Sequence, residues 1–211
     1  MTERPIPAGL KKAPRQPRAR QTVQRIIDAT AAIVVEQGLD AITTNKVAER
    51  ANVNIASLYQ YFPNKQALLG ALLQSYWNDL TRTLDNQLEN LGTVSVEEST
   101  RLWAVSAIRN FRDNGGVLAE LMRNQSQISA LPEGREFEHH LMESMRRFLL
   151  RQRDRLRVKD LDRAVYIAFT ACTSVLTKHL LEPVPYYTDA EIVEELVQLM
   201  TGYFYSSETS N

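Results

Sequence analysis

The segment from Ile42 to Leu73, ITTNKVAERANVNIASLYQYFPNKQALLGALL, admits few folds. It reads as two short helices joined by a tight turn, followed by the start of a longer third helix. Thr43 or Thr44 can cap the first helix, because a side-chain hydroxyl accepts from an otherwise orphan backbone N–H. Val47, Ala48 and Ala51 form its buried side. Asn52 falls where a left-handed residue is wanted, and asparagine is the best substitute for glycine there. Val53 returns under the turn, and Asn54 can cap the second helix, Ile55 to Tyr61. Small Ala48 lets the two helices cross closely, which fits a helix-turn-helix; a plain helical hairpin within a larger core is the alternative. Burying Val47, Val53 and Leu58 leaves Asn54, Ile55, Ala56, Ser57, Tyr59 and Gln60 facing outward. Small residues on such a face permit close approach to a major groove, and polar ones reach base edges or phosphates.

The run from Thr43 to Leu69, T-T-x-x-V-A-x-x-A-N-V-N-x-x-S-L-Y-x-Y-F-P-N-K-x-A-L-L, resembles the DNA-binding domain of TetR-family transcriptional regulators. The resemblance covers about residues 20–75, and its most specific part is Leu58 to Lys65. It departs at Asn52, where the family usually has glycine, and at Asn54, often serine; both keep the backbone role. The resemblance implies that Tyr59 and Lys65 contact phosphate, with Thr44 and Tyr61 beside them. It also implies that Asn45, Ile55, Ala56, Ser57 and Gln60 face the groove.

Charge supports a nucleic-acid head. The 211 residues hold 25 basic and 25 acidic side chains, but residues 1–75 carry ten and five, a net +5, leaving 15 and 20, a net −5, for the remainder. A basic first third beside an acidic remainder suits a DNA-binding domain on a sensing or dimerising body. Residues 1–19 contain four of the eight prolines. Their spacing predicts a disordered basic arm, either a solvated tail or one that lies along DNA on binding. The domain boundaries expected are 1–19 for the arm, 20–66 for the helix-turn-helix and 67–211 for the body.

Apolar periodicity predicts an all-α chain of about nine helices. The first runs from about Thr22 to Gln37 and ends at Gly38. A long one runs from Lys65 to about Asn90, closed by Gly92, joining head to body. The next starts at Ser95, paired with Glu98 in a capping box, and ends at Asn114-Gly115-Gly116. Helices over 117–129, Glu133–Arg155, Asp160–Leu181 and Asp189–Tyr205 follow.

The helix from Asp160 to Leu181 is apolar on most sides, so it must be buried on more than one. With the last helix it predicts an intersubunit four-helix bundle. Ala164, Ala168, Ala171 and Val175 on the first, and Leu196, Met200 and Tyr203 on the last, are the expected dimer contacts. Family resemblance implies the same pair of helices. Trp77, Trp103, Phe111, Met122, Phe148, Tyr166 and Phe169 lie on helices that enclose the ligand pocket in relatives. They are candidates for an apolar or amphipathic effector, or simply core.

The single cysteine, Cys172, excludes an internal disulfide. No nucleophile elbow, phosphate-binding glycine loop or H-E-x-x-H occurs. His139 and His140 point to different faces of a helix, which disfavours a shared metal. His179, among apolar neighbours, reads as a hydrogen-bonded core or interface residue. The dense cations from Arg146 to Lys159 read as a solvated helix end, or as an anchor for an anionic effector. No apolar leader core and no run of membrane-span length is apparent, so a cytoplasmic protein is expected. The reading is therefore a homodimeric regulator whose partners are operator DNA, in double-stranded form, and a small-molecule effector, with no enzyme activity, cofactor or metal. A small-molecule-binding enzyme or carrier reusing the fold is the rival.

Overall fold

A computed structural model describes residues 10–11, 14–90 and 94–205, with backbone alone for 79–80 and 82–90. Among the described residues there are nine α-helices and no strand. They are α1 (Pro17–Gln37), α2 (Thr44–Arg50), α3 (Ile55–Tyr61), α4 (Lys65–Asn90), α5 (Val96–Arg123), α6 (Gln125–Ser129), α7 (Pro132–Leu150), α8 (Leu161–Leu181) and α9 (Asp189–Phe204). Packing divides the chain into two units at places other than the expected 66/67 boundary. The first unit holds residues up to Asp79 with Asn114–Phe137, and the second Leu80–Asp113 with Glu138 onward. Gly92, expected to close α4, lies outside the described residues, as do most of the arm and the side chains of Leu80, Leu84 and Leu88.

In the first unit, Val23, Ile26, Ile27, Ile33 and Val34 make the buried side of α1. This helix starts five residues earlier than its periodicity suggests. Pro17 takes its first turn, where the missing N–H costs no hydrogen bond, so proline there begins a helix instead of forbidding one. Gly38 ends it at φ 81°, with its N–H on the Val34 carbonyl at 2.9 Å. Trp77 of α4 stacks on Phe137 of α7, ring centres 4.2 Å apart.

The Asn114-Gly115-Gly116 run bends a helix rather than ending one. Asn114 leaves helical geometry (φ −128°, ψ 20°), yet α5 continues to Arg123. Gly116 sits against Val35 of α1, where an added Cβ would come within 3.1 Å of both methyls. Tertiary packing here overrides the poor helix propensity of paired glycines.

In the second unit, Ala104, Ile108, Leu149, Ala164, Val165, Ala168, Cys172, Leu176, Leu196, Met200 and Phe204 belong to one buried cluster. Helix α8 is capped by Asp160, whose carboxylate accepts from the Arg163 N–H, and α9 by a reciprocal Thr188–Glu191 box. Burial raises the Cys172 thiol to about 11, which leaves it a small apolar core group. By length and composition α8 could cross a membrane, contrary to the expectation that no run qualifies. Its inner residues instead pack in this unit's core.

The helix α7 ends at Leu150, five residues short of the expected Arg155, and a single 3₁₀ turn follows. Gln152 holds that turn, donating to the Val94 carbonyl at 3.1 Å and accepting from the Tyr205 hydroxyl at 2.6 Å. The cation-rich stretch is substantially paired: Arg146 with Asp162 at 2.6 Å, Arg157 with the Tyr203 carbonyl at 3.1 Å, Arg155 over the Tyr205 ring.

His179 is 9 % exposed, its Nε2 lying 2.9 Å from Asp189, which also accepts from the Arg112 Nε at 3.1 Å. Burial pushes the Asp189 carboxyl upward, but hydrogen bonds and charge from His179 and Arg112 outweigh it and hold it below the ordinary carboxylate range. A carboxylate lowered in this way favours folding above its unfolded pKa and loses that contribution as pH falls through the lowered value. The joint of α5, α8 and α9 should therefore weaken below about pH 4. Asp189→Asn should flatten the acid limb of a melting-temperature profile, and an unchanged limb would remove Asp189 from the account.

Candidate nucleic-acid interface

The helix-turn-helix is built by short-range chemistry. The Thr43 hydroxyl accepts from the Lys46 N–H at 3.2 Å and starts α2. Asn52 takes φ 51°, the one positive φ of a non-glycine residue among those described, and lets Val53 N–H reach back to the Ala48 carbonyl at 3.0 Å. The Asn54 side chain then accepts from Ala56 N–H at 2.8 Å and starts α3. Val47, Ala48 and Leu58 are buried between the two helices. Asn64 repeats the device for α4, accepting from Ala67 N–H at 2.9 Å.

What remains outward on α3 is Ile55 at 36 % exposure, Ala56, Tyr59 at 44 % and Gln60, with Ser57 half-buried at the edge. Asn45 is exposed on α2 beside half-buried Thr44, whose hydroxyl pairs with the Tyr59 hydroxyl at 3.0 Å. That bond ties the start of α2 to the outer face of α3. Lys65 is half-buried and its ammonium donates to the Asp40 carbonyl at 3.3 Å. Tyr61 departs from expectation. It lies one turn after Leu58 on the inner row of α3 and is buried at 9 % exposure, so its ring serves the core. A face of small, polar and aromatic side chains on a short, firmly capped helix can enter a major groove.

Two family models match the chain. Residues 26–72 match bacterial regulatory proteins of the tetR family, and residues 95–204 match the tetracyclin repressor-like C-terminal domain. The chain belongs to the TetR family. Among relatives, the uncharacterised HTH-type transcriptional regulator YvkB of Bacillus subtilis is 36% identical over 37% of this chain and 46% of its own length. The HTH-type transcriptional repressor KstR of Mycolicibacterium smegmatis is 46% identical over 26% of each. The chain thus spans less than half the length of these curated relatives. The solved structure of the fatty acid degradation regulator FadR from Bacillus halodurans superposes with a TM-score of 0.70 over 86% of this chain and 95% of that one, at 20% identity, which shows a shared fold.

For a TetR-family body the remaining candidates sort unevenly. Ala164, Ala168, Leu196 and Met200, expected at a dimer contact, are buried in the second unit's own core and have no surface left for a partner. Small residues there serve close packing within the chain. Val175 is 43 % exposed, and Ala171 and Tyr203 are half-buried. The outward side of α8 also carries Tyr166 at 60 % and Ile167 at 46 %, and α9 carries Leu199 at 48 %. A helix apolar nearly all round gives no sequence signal for which side faces its own core, so the exposure of Ile167 is decided by packing and not by pattern.

Among the effector candidates, Trp77 and Met122 lie in the first unit, and Trp103, Phe111, Phe148, Tyr166 and Phe169 in the second. Trp103 and Phe148 pack against the second unit's buried cluster. Phe111, Met122 and Phe169 are half-buried, but Tyr166 is on the outer face of α8 and does not line an enclosed site. No group of three or more His, Cys, Asp or Glu side chains suited to a metal occurs among the described residues.

Proposed function

We propose that this chain is a sequence-specific DNA-binding repressor, acting as a homodimer on a palindromic operator and released by a small apolar or amphipathic effector. The observation that carries this reading is the outward row Ile55, Ala56, Tyr59 and Gln60 on a capped recognition helix in a TetR-family chain. KstR is a transcriptional repressor, and its likeness over 26% of this chain supports repression as the mode. The exposed apolar side of α8 and α9, with Ile167, Val175 and Leu199, supports pairing of two copies there. Two heads so joined would present α3 to half-sites about one DNA turn, roughly 34 Å, apart. A gel shift with the DNA upstream of the protein's own gene tests the reading: retardation that weakens with salt is expected, and an unshifted duplex would favour the enzyme or carrier reading.

Phosphate and base contacts should separate. Lys65→Ala should weaken binding to all duplexes alike and lower the slope of log affinity against log salt by about 0.9 per bound protomer, roughly 1.8 for the dimer. Substitution of Ser57 or Gln60 should instead change the preferred base at one operator position, by about 1–3 kcal/mol. A slope unmoved by Lys65→Ala would remove that residue from the phosphate contacts.

A further inference from the structure

Between Glu3 and Asp28 the chain has seven cations (Arg4, Lys11, Lys12, Arg15, Arg18, Arg20 and Arg25) and no acid. Nearly all of this run lies before residue 26, where the match to the family's DNA-binding model begins. The described cations of the head fall into two groups. Arg50 is held bidentately by Glu36, Lys46 donates to Gln37 at 3.3 Å, and Lys65 donates to the Asp40 carbonyl. Lys11, Arg15, Arg18, Arg20 and Arg25 have no ion-pair or side-chain hydrogen-bond partner among the described residues, and all five are exposed.

The position of these free cations is set by the backbone. Lys11 N–H donates to the Tyr61 carbonyl, the last residue of α3, at 3.1 Å. Pro14 is buried, and Pro17 opens α1. Lys11 is thereby held at the end of the recognition helix, and Arg15 follows buried Pro14 just before the start of α1; both side chains are exposed. On α1, Arg18 and Arg25 border a surface depression of about 530 Å³ with Gln21, Thr22 and Gln24. Arg18, Gln21, Thr22 and Arg25 follow i, i+3, i+4, i+7 spacing, one stripe about 10 Å long, the rise of roughly three nucleotides along a strand. The Thr22 hydroxyl already donates to the Arg18 carbonyl at 3.0 Å and the Gln24 amide to Asp28 at 2.9 Å, so the cations carry the stripe, and a single-sign row of them fits phosphates better than it fits bases.

We infer that Lys11, Arg15, Arg18 and Arg25 form a second phosphate-binding surface that grips the duplex backbone next to the half-site read by α3. This rests on the DNA-binding reading above and extends the footprint past the helix-turn-helix. Free cations are the ones that release counterions without first giving up an internal partner.

The test uses the full chain, with two duplexes of equal length: the DNA upstream of its gene and a mixed-sequence control. Arg15→Gln alone should lower the salt slope by about 0.9 per bound protomer, roughly 1.8 for the dimer, and Lys11→Gln with Arg15→Gln and Arg18→Gln by about 2.7 per protomer, roughly 5.4 for the dimer. Both duplexes should lose affinity by the same factor, with helicity by circular dichroism unchanged because these side chains are exposed. A wild-type slope in the triple variant would overturn the inference while leaving DNA binding intact. A loss confined to one duplex would overturn it too, since that marks base reading. Failure of the unaltered chain to bind either duplex would remove both readings, so the two failures are distinguishable.

Discussion

Val175→Arg or Ile167→Arg is expected to give a folded chain that no longer pairs, whereas Ala168→Arg is expected to unfold its own unit. All three residues lie on α8, and their environments differ. Ile167 and Val175 are 46 % and 43 % exposed, while Ala168 is 4 % exposed inside the buried cluster. An arginine at 167 or 175 keeps its charge in water in a monomer and loses that water only when a second copy covers the face. An arginine at 168 has no route to solvent, and an unpaired buried charge costs several kcal/mol. Sedimentation should show monomers for the first two variants, with melting curves retaining a cooperative transition. Binding to palindromic DNA should fall steeply, because one head then holds one half-site. A Val175→Arg chain that stays dimeric would place the pairing surface elsewhere.

Gly134→Ala should destabilise the chain by about 3 kcal/mol, more than most substitutions of its size. Gly134 is buried in the first turn of α7, and an added Cβ would press into the Ile128 carbonyl oxygen, with the carbonyl carbon at 2.9 Å. Both are backbone atoms of α6, so nothing gives without moving the helix. Gly70 makes the useful contrast. A Cβ there would meet the Glu133 carboxylate at 2.5 Å, but that is the end of a flexible side chain that can swing away. Gly70→Ala should therefore cost less than about 1 kcal/mol, helped by alanine's higher helix propensity. Urea denaturation of the two variants side by side measures the difference. Equal midpoints would mean that α6 and α7 can separate without loss.

Features governed by atoms within about four residues were legible without the fold. Thr43, Asn54 and Asn64 cap because a side-chain oxygen reaches an N–H two or three residues on, and Asn52 turns because its own φ demands it. The ends of α8 follow from Asp160 and Pro183 in the same way. The contacts that decided the rest come from far along the chain. Val35 packs on Gly116 and is associated with a helix that bends where paired glycines ordinarily stop it. Glu36 occupies Arg50, fourteen residues away, leaving the uncommitted charge to the segment before and within α1. The two sides of α8 are equally apolar in sequence, and only the packing of α9 and α5 against one of them turned Ala168 inward and Val175 outward. Local hydrogen bonds thus specify where helices begin and end, while burial, which depends on neighbours remote in the chain, specifies which face is left to meet a partner.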